Sequence, residues 1–346
     1  MNFASDNATG VHPDVWTAMA AANDGHLPSY GRDALTRAAV ARVRDLFEAP
    51  EAEVFLLGTG TGANALALAQ LCPPFGRIFC HQWAHIETSE SGAPGFMAGG
   101  AQMALVAGDD GRIAPDALNR AIAAYPQEDE HDGLNAVLSL TNATEMGTIY
   151  DPARIAALTQ IARANGMAVH MDGARFANAV AASGAAPGDL TWRAGVDALS
   201  LGGTKNGCMA LEAVILFDPA RAQQFSFRRM RAGHLWSKHR FLAAQMLAWL
   251  DDDLWLRLAG HANAMAARLA QGLAGMSDAV ILQPVEANEV FLRLSRPRIA
   301  ALRARGLRAA DWPMRDDDEQ RGTIRLVTSW ATSDNEVATL LDAFAA

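Results

Sequence analysis

Residues 136–175 read AVLSLTNATEMGTIYDPARIAALTQIARANGMAVHMDGAR, in which two apolar runs flank a helical pattern. Asp151 is a candidate N-cap, Pro152 occupies the first helical position, and Gly166 ends the pattern. Between them, apolar side chains recur at helical spacing, at positions 155, 158, 161 and 162. The segment therefore predicts a strand–helix–strand unit of an α/β domain, with the helix as the crossover.

More apolar runs lie on both sides of this unit. They are mostly uninterrupted rather than alternating, which is typical of strands buried on both faces of a mostly parallel sheet. Together, the runs are EVFLLGTG (53–60), RIFC (77–80), MALVAG (103–108), AVLSLTN (136–142), MAVHMDGAR (167–175), DALSLGG (197–203) and AVILF (213–217). The sequence therefore predicts a large α/β domain around a mostly parallel seven-stranded sheet.

The C-terminal part of the chain has a different character. Residues 232–275 are typical of long helices, and shorter strands and helices follow them. These later elements are EVFLRL (289–294), a helix near 298–305, TIRLVTS (323–329) and a helix from about 333. We therefore predict two units, 1–245 for an N-terminal arm with the large α/β domain and 246–346 for a small C-terminal α+β domain. The acidic segment QEDEHD (127–132) is predicted to be a surface loop.

Composition and charge exclude several classes of function. The chain has 29 basic and 38 acidic residues and a formal net charge of −9, which argues against nucleic acid or an anionic membrane as a partner. It has no apolar stretch of roughly 20 residues, and its N-terminus does not have the pattern of a signal peptide. Its three cysteines have no metal-ligand spacing, so we expect neither a disulfide framework nor a metal site. A soluble, cytoplasmic protein is expected.

Four polar clusters follow apparent strand ends, where open α/β sheets bind their ligands. The first is GTGTGAN (58–64), a glycine-rich turn that leads into a helix. Backbone N–H groups at Gly60 and the hydroxyls of Thr59 and Thr61 could bind a phosphate there. A plain strand-to-helix turn is the alternative, since the loop lacks both a nucleoside-triphosphate ending and a clean dinucleotide fingerprint.

The second cluster is HMDGAR (170–175), with Asp172 at the end of an otherwise apolar strand. An isolated carboxylate is costly in such a place unless it is paired. A cationic ring such as a protonated pyridine is a suitable partner. A helix N-cap or a salt bridge between Asp172 and Arg175 is the alternative.

The third cluster is SLGGTKNG (200–207), which places Lys205 in a glycine-rich turn after a buried strand. Desolvation in a cleft lowers the pKa of a lysine and makes its amine usable for imine formation. The alternative is a solvated loop lysine.

The fourth cluster is HQWAHIETSESGAP (81–94). His85 could stack on an aromatic cofactor or transfer protons, and it could also be merely structural. Glu87 and Glu90 are candidates for a polar network beside it or for surface carboxylates. All four clusters occur in order after strands, and this regular placement favours one common site.

These motifs resemble those of the fold-type-I enzymes that depend on pyridoxal 5′-phosphate (PLP). More narrowly, they resemble the low-specificity L-threonine aldolase family, also described as aromatic amino acid β-eliminating lyases. The resemblance extends over nearly the whole chain, and HxDGAR and TKNG are its most specific parts. The further matching segments are SDNATG (5–10), SYGRD (29–33), GTGTGAN, HIETSE (85–90) and RLVTSWAT (325–332).

The resemblance implies roles for residues around the cofactor. Lys205 would bind PLP as a Schiff base, and Asp172 would keep the pyridine nitrogen protonated. His85 would stack on the ring, and Arg175 would lie beside the phenolic oxygen. The residues implied for the phosphate are Thr59, Gly60 and Thr61.

The resemblance also implies how a substrate and a second subunit are bound. Ser5 and Arg325 would bind the substrate carboxylate, Arg325 bidentately, with Arg175 close to them. Tyr30 would reach the site of a neighbouring subunit. A homo-oligomer, specifically a dimer of dimers (homotetramer) with sites at the subunit interface, is therefore expected.

The sequence departs from the family pattern at three places. In TNATE (141–145), Thr144 is taken to occupy the position of a histidine, and Ser89 replaces a tyrosine while Glu90 is retained. A basic stretch for the phosphate is replaced by AGHLWSK (232–238). Arg229 matches a basic position before it, and Lys238 or Arg231 is predicted to replace the missing arginine.

The activity that the resemblance implies is retro-aldol cleavage of L-threonine, L-allo-threonine and related β-hydroxy-α-amino acids to glycine and an aldehyde. The predicted base is His85, or a water held by Glu90 and Thr144. Three alternatives remain. They are β-elimination or transamination on the same scaffold, a nucleotide-binding oxidoreductase that uses GTGTGAN, and a non-catalytic binding protein with a PLP-enzyme fold.

Overall fold

The computed structural model describes residues 1–127, 129–276 and 278–345. Glu128 of the predicted acidic loop, Ser277 and Ala346 lie outside these ranges. The strands are β1 (Glu53–Leu57), β2 (Gly76–His81), β3 (Gln102–Val106), β4 (Leu134–Thr141), β5 (Ala168–Gly173), β6 (Ala198–Gly202), β7 (Glu212–Leu216), β8 (Val280–Ile281), β9 (Glu289–Ser295), β10 (Ala310–Asp311) and β11 (Arg321–Val327).

Helices connect and cover the strands. They are α1 (Pro13–Ala21), α2 (Ala34–Leu46), α3 (Gly60–Leu71), α4 (His85–Thr88), α5 (Ala93–Met97), α6 (Pro115–Ala123), α7 (Pro152–Ala164), α8 (Phe176–Ser183), α9 (Phe225–Arg231), α10 (Arg240–Leu250), α11 (Leu254–Leu273), α12 (Arg296–Ala304) and α13 (Asp334–Ala345). Within the described ranges, no helix has both the length and the apolar character that a membrane crossing requires.

The large sheet has the strand order β1-β7-β6-β5-β4-β2-β3. Neighbouring strands are parallel except at β7, which runs antiparallel to both β1 and β6. The strands β5, β6 and β7 are buried throughout, which explains their uninterrupted apolar runs. The prediction of a mostly parallel seven-stranded sheet is confirmed.

The crossover helix α7 forms as its sequence predicts. The side chain of Asp151 accepts a hydrogen bond from the Arg154 N–H, and Pro152 occupies the first turn. Ile155, Leu158 and Ala162 are buried against the sheet. Because α7 joins two parallel neighbouring strands, the carboxyl ends of β4 and β5 lie side by side.

The small sheet is antiparallel, with the order β10-β11-β9-β8. Its core contains apolar residues of α11, α12 and α13 together with Phe3 from the N-terminal arm. The arm is tied to this sheet, since the Phe3 N–H donates to Arg308 and its carbonyl accepts from Val327. The first residues of the chain therefore belong, by packing, with its last hundred.

The predicted division at 245/246 falls inside α10. The core under the large sheet continues through α10 and into α11 as far as Ala259, whereas Met265 of α11 belongs to the small core. Packing thus changes partway along α11. The two folding units themselves stay a prediction.

Candidate active site

A cleft of about 210 Å³ opens at the carboxyl ends of β4, β5 and β6. Its other wall is formed by the N-terminal arm and the small sheet. Six of the residues predicted for the site line it: Ser5, His85, Asp172, Arg175, Lys205 and Arg325. The fold therefore brings together motifs that are spread over nearly the whole sequence.

Asp172 lies at the end of β5 and is held by two neutral donors. Its Oδ1 accepts from the Ala174 N–H at 2.9 Å, and its Oδ2 accepts from the Asn64 side chain at 2.8 Å. The alternative salt bridge between Asp172 and Arg175 is wrong, because Arg175 pairs with Asp6. The charge of Asp172 stays available for a cation in the cleft.

His170 lies in β5, two residues before Asp172. Its ring is fully buried between two hydroxyls, with Ser139 2.9 Å from Nδ1 and Ser200 3.0 Å from Nε2. Burial lowers the pKa of His170 to about 4, against the opposing effect of the Asp172 charge. The ring is therefore neutral, and it ties β4, β5 and β6 together directly beneath the cleft.

Lys205 is the middle residue of a 3₁₀ turn, Thr204–Asn206, that follows β6. The turn is fixed at both ends. The Thr204 hydroxyl bonds to the backbone of Leu211, and the Asn206 amide donates to the Trp255 carbonyl at 2.8 Å. The turn therefore fixes the backbone position from which the lysine side chain enters the cleft.

His85 begins the short helix α4 and contacts Glu90. Its Nδ1 lies 2.9 Å from Glu90 Oε1, and Asn64 donates to the same oxygen at 2.9 Å. Because Asn64 also donates to Asp172, one amide on α3 links the two acidic side chains. With Nδ1 bonded to a carboxylate, the other ring nitrogen, Nε2, is left for the cleft.

Four charged residues form what we call the arginine cluster: Asp6, Arg175, Glu289 and Arg325. Arg175 donates to both oxygens of Asp6, at 2.7 and 3.0 Å. Glu289 lies 3.4 Å from Arg175 and 3.3 Å from Arg325. The cluster joins the N-terminal arm, the large sheet and the small sheet.

Counter-charges decide the ionisation of this cluster. Burial alone would raise the pKa of Asp6, but the charges of Arg175 and Lys205 and two hydrogen bonds lower it instead. Burial likewise opposes the charge of Arg175, and the carboxylates of Asp6 and Glu289 raise its pKa above the usual value. Both members of the pair are therefore charged.

The predicted phosphate loop forms the N-terminus of α3. Thr59 is the N-cap, and its hydroxyl accepts from the Gly62 N–H. A Cβ at Gly58 would lie 2.2 Å from Trp236, and a Cβ at Gly62 would lie 2.3 Å from His234. A side chain at either position would therefore require Trp236 or His234 to shift, because the segment 232–238 packs directly against the loop.

The predicted basic residues around this loop differ in position. Arg229 on α9 donates to the Leu56 carbonyl at 3.3 Å, next to the loop, and burial lowers its pKa to about 10. Lys238 and Arg231 are exposed. His234, which the sequence analysis did not select, is the basic side chain that lies against Gly62.

The loop after β4 differs from the prediction by one residue. Thr144 is fully buried, and its hydroxyl bonds to Thr148 in the same loop and to the Asp110 carbonyl in the loop after β3. Glu145, the next residue, lines the cleft. The position of Thr144 therefore gives no support to a water held between it and Glu90, and Glu145 is the acidic side chain of this motif that lines the cleft.

Tyr30 lies outside the cleft of its own chain. Its side chain is 48% exposed, and its N–H donates to the Ser237 carbonyl at 3.0 Å. The segments SYGRD and AGHLWSK therefore meet at the surface, close to the phosphate loop.

Sequence reasoning missed four residues of the site: Asp6, Asn64, Glu145 and Glu289. Asp6, Asn64 and Glu145 lie inside motifs that were recognised, next to the residues that were chosen. Glu289 had a weak signal of its own, since it is an acidic residue at the start of the apolar run EVFLRL. Its carboxylate is fully buried, which periodicity alone could not indicate.

The fold and this cleft define a fold-type-I enzyme, in which a strand-end lysine and aspartate share the cleft with the arginine cluster. The model of the beta-eliminating lyase family matches residues 2–297. The chain belongs to this family.

Two bacterial proteins are similar to this chain over most of their length. A low specificity L-threonine aldolase of Pseudomonas aeruginosa is 44% identical over 338 residues, which cover 98% of this chain and 95% of the relative. A low specificity L-threonine aldolase of Escherichia coli O157:H7 is 28% identical over 305 residues, 87% of each chain.

Solved structures agree with the fold. A threonine aldolase of Leishmania major superposes with a TM-score of 0.92 at 27% identity, covering 99% of this chain and 98% of the other. A serine palmitoyltransferase of Sphingomonas wittichii has a TM-score of 0.74 at 15% identity and covers 99% of this chain and 86% of its own. At that identity the second likeness concerns the fold alone.

Proposed function

We propose that this protein is a PLP-dependent lyase that cleaves L-threonine, L-allo-threonine and related β-hydroxy-α-amino acids to glycine and an aldehyde. The observation that carries the proposal is the meeting of Lys205, Asp172 and Arg325 in one cleft. An amine, a carboxylate and a guanidinium are the groups needed for a carbonyl cofactor, its ring nitrogen and an amino-acid carboxylate. The likeness to named threonine aldolases gives further support.

The residues present fit PLP. Asp172 is bonded to neutral donors alone, so a protonated pyridine nitrogen would supply the missing counter-charge. Lys205 would hold the cofactor covalently through its amine, and His85 would stack on the ring. The N–H groups at the start of α3, with Thr59, Gly60 and Thr61, would hold the phosphate. When bound, PLP supplies an electron sink for the bond that breaks.

The arginine cluster would orient the amino acid. Arg325 retains an Nε that is buried without a hydrogen-bond partner among the described residues, and Ser5 lies in the same cleft. A substrate carboxylate would use these donors, with Arg175 close by to add positive charge. Arg325 also lies 5.1 Å from the ring of Trp312, which limits the directions in which its guanidinium can point.

One incubation tests the proposal. The purified protein, loaded with PLP, is mixed with L-threonine, and acetaldehyde and ammonia are measured in parallel. Acetaldehyde and glycine in equal amounts are expected. Ammonia without acetaldehyde would indicate β-elimination, and an amino acid made from an added keto acid would indicate transamination.

We also propose that the protein works in the cytoplasm as a homotetramer, a dimer of dimers. The exposed Tyr30 beside the phosphate loop supports a contribution to a neighbouring subunit's site. The three buried free cysteines suit a reducing compartment. Sedimentation of the purified protein is expected to give four chains per particle, and a monomeric particle with full activity would contradict the shared site.

A further inference from the structure

Glu145 lies in the loop between β4 and α7, in the cleft wall beside Thr141, Asp172 and Lys205. The loop is fixed from inside by the Thr144 hydroxyl, which accepts from the N–H groups of residues 146 and 148 at 3.3 and 3.2 Å. Glu145 is only 8% exposed. Its carboxyl is therefore held in place at the wall rather than moving freely in solvent.

The two oxygens of Glu145 differ. Oε1 accepts from the His85 N–H and from the Thr141 hydroxyl, each at 2.8 Å. Oε2 is buried and has no hydrogen-bond partner among the residues that the structure describes. One oxygen thus anchors the group, and the other, in a residue that lines the cleft, is left without a partner in the described part of the chain.

Several titratable groups surround this carboxyl, and the cationic ones have other partners. The charge of Asp172 acts on Glu145, and the charge of Glu145 in turn acts on its other titratable neighbours, Cys80, Tyr150 and Arg175. His85 and Lys205 line the same cleft. Arg175 is paired with Asp6, and Lys205 is the residue proposed to hold the cofactor. Burial and, next, the charge of Asp172 raise the pKa of Glu145 to about 7, against the two hydrogen bonds on Oε1.

We propose that Glu145 binds the β-hydroxyl of the substrate through Oε2 and takes its proton as the Cα–Cβ bond breaks. The inference rests on the proposed function. His85 acts beside it in two ways, by donating its backbone N–H to Glu145 and by presenting its ring to the cofactor. Thr141 is a positioning residue, since its hydroxyl holds Oε1.

The step balances in atoms and electrons. The hydroxyl proton moves to Oε2, the oxygen electron pair forms the aldehyde C=O bond, and the Cα–Cβ electron pair stays with the amino-acid fragment. A proton added at Cα completes glycine, so one proton leaves and one is added. No oxidant or reductant is consumed.

The main test compares the variants Glu145→Gln and Glu145→Asp in the PLP-loaded enzyme with L-threonine. For Glu145→Gln, kcat is expected to fall about 100-fold or more, while KM changes less than about threefold. Wild-type kcat should fall as the pH is lowered through a pKa at or below about 7, because the carboxyl must be ionised to accept a proton. Glu145→Asp should keep an acidic limb but with a shifted midpoint, because the shorter side chain places the carboxyl differently, and Glu145→Gln should lose the limb.

Thr144→Val is the matched control. It disturbs the same loop but leaves the carboxyl, so it is expected to keep the acidic limb whatever its effect on the rate. If Glu145→Gln retains the wild-type kcat, or retains the limb at a lower rate, the inference is overturned. If that variant does not fold, an unshifted limb in Glu145→Asp overturns it.

Stability supplies a readout that does not depend on turnover. A carboxyl whose pKa is raised by folding makes the protein less stable as the pH rises from the ordinary pKa of the group to the raised pKa. In thermal unfolding, the Tm of Glu145→Gln minus the Tm of wild type should therefore be more positive at about pH 8 than at about pH 5. An equal difference at both values would mean that Glu145 does not titrate in this range, and it would overturn the inference.

The two proposals fail in different ways. If the wild-type enzyme releases no aldehyde, the proposed function fails and takes the proton transfer with it. If aldehyde forms and Glu145→Gln behaves like wild type, only the role of Glu145 fails.

Discussion

The cleft has two walls, and the pKa of a buried carboxyl is shifted in opposite directions on the two. On the wall formed by the strand ends, burial and a neighbouring carboxylate raise the pKa of Glu145 to about 7. In the arginine cluster, Asp6 is as deeply buried, yet adjacent positive charges lower its pKa. The same desolvation therefore yields a group that can exchange protons on one side and a permanently charged pair on the other.

The walls also differ in how the chain builds them. The strand-end wall uses residues that follow neighbouring strands of one sheet. The arginine cluster depends on distant segments, such as the bond from Asn288 to Asp6 across 282 positions. One wall is suited to chemistry and the other to holding the substrate and joining the parts of the fold.

The largest effect is expected from Lys205→Ala on the strand-end wall. Loss of the Lys205 amine should abolish covalent retention of PLP and lower turnover by more than about 10³-fold, since the alanine side chain supplies no nucleophile. Borohydride reduction of the loaded protein followed by peptide mass analysis gives a direct readout. The chain has one other lysine, Lys238, and Lys238→Ala should keep the adduct. An adduct on Lys238 in wild type would contradict the assignment.

In the arginine cluster, Asp6→Asn is expected to destabilise the protein by about 3 kcal/mol, because it leaves the buried Arg175 short of a counter-charge. Urea unfolding at neutral pH measures this difference. A carboxylate with a lowered pKa loses its stabilising effect as the pH falls, so the difference from wild type should shrink below about pH 4.

Asp14→Asn is the control for this substitution, as it changes an exposed aspartate of the same N-terminal segment. It should alter stability by less than about 0.5 kcal/mol. Equal losses in the two variants would argue against a special role for the buried pair.

Arg325→Lys separates substrate binding from the cofactor. A lysine keeps the charge but loses the bidentate geometry, so KM for L-threonine should rise about 10-fold or more while PLP affinity is unchanged. Steady-state kinetics and a PLP titration check the two parts. Arg321→Lys, an exposed position at the start of the same strand, should leave KM as in wild type.

The smallest effect is expected at the start of α3. Thr59→Ala removes the N-cap hydroxyl that accepts from Gly62 and should cost about 1 kcal/mol of stability. Thermal unfolding of the cofactor-free protein measures it. Thr59→Ser retains the hydroxyl and should therefore keep most of the wild-type stability. If Thr59→Ser is as unstable as Thr59→Ala, the methyl group rather than the hydroxyl is responsible.

The strand-end wall was largely readable from sequence. Asp172 ends one buried strand and Lys205 follows another, and parallel strands with crossover helices bring their carboxyl ends to one edge. The loop after β4 was not readable to the residue. In an irregular loop no period indicates which side chain faces the cleft, so Thr144 was chosen where Glu145 lines it.

The phosphate side shows the same limit. The glycines of GTGTGAN predicted a phosphate site or a plain strand-to-helix turn, and the close approach of His234 and Trp236 to this loop was not predicted. Their segment reaches the loop through tertiary packing. From sequence alone, nothing distinguished His234 from the exposed Lys238 as the basic side chain beside the loop.

Apolar runs and helix caps were enough to establish the α/β fold, the seven strands and the order of the motifs along the chain, because these depend on local periodicity and on parallel connections. Three features were decided only by the tertiary structure. They are the pairing of Asp6 with Arg175, the burial of Glu289, and the fact that Glu145 rather than Thr144 lines the cleft. These features depend on desolvation and on charges brought together across hundreds of residues, and no local pattern carries either quantity.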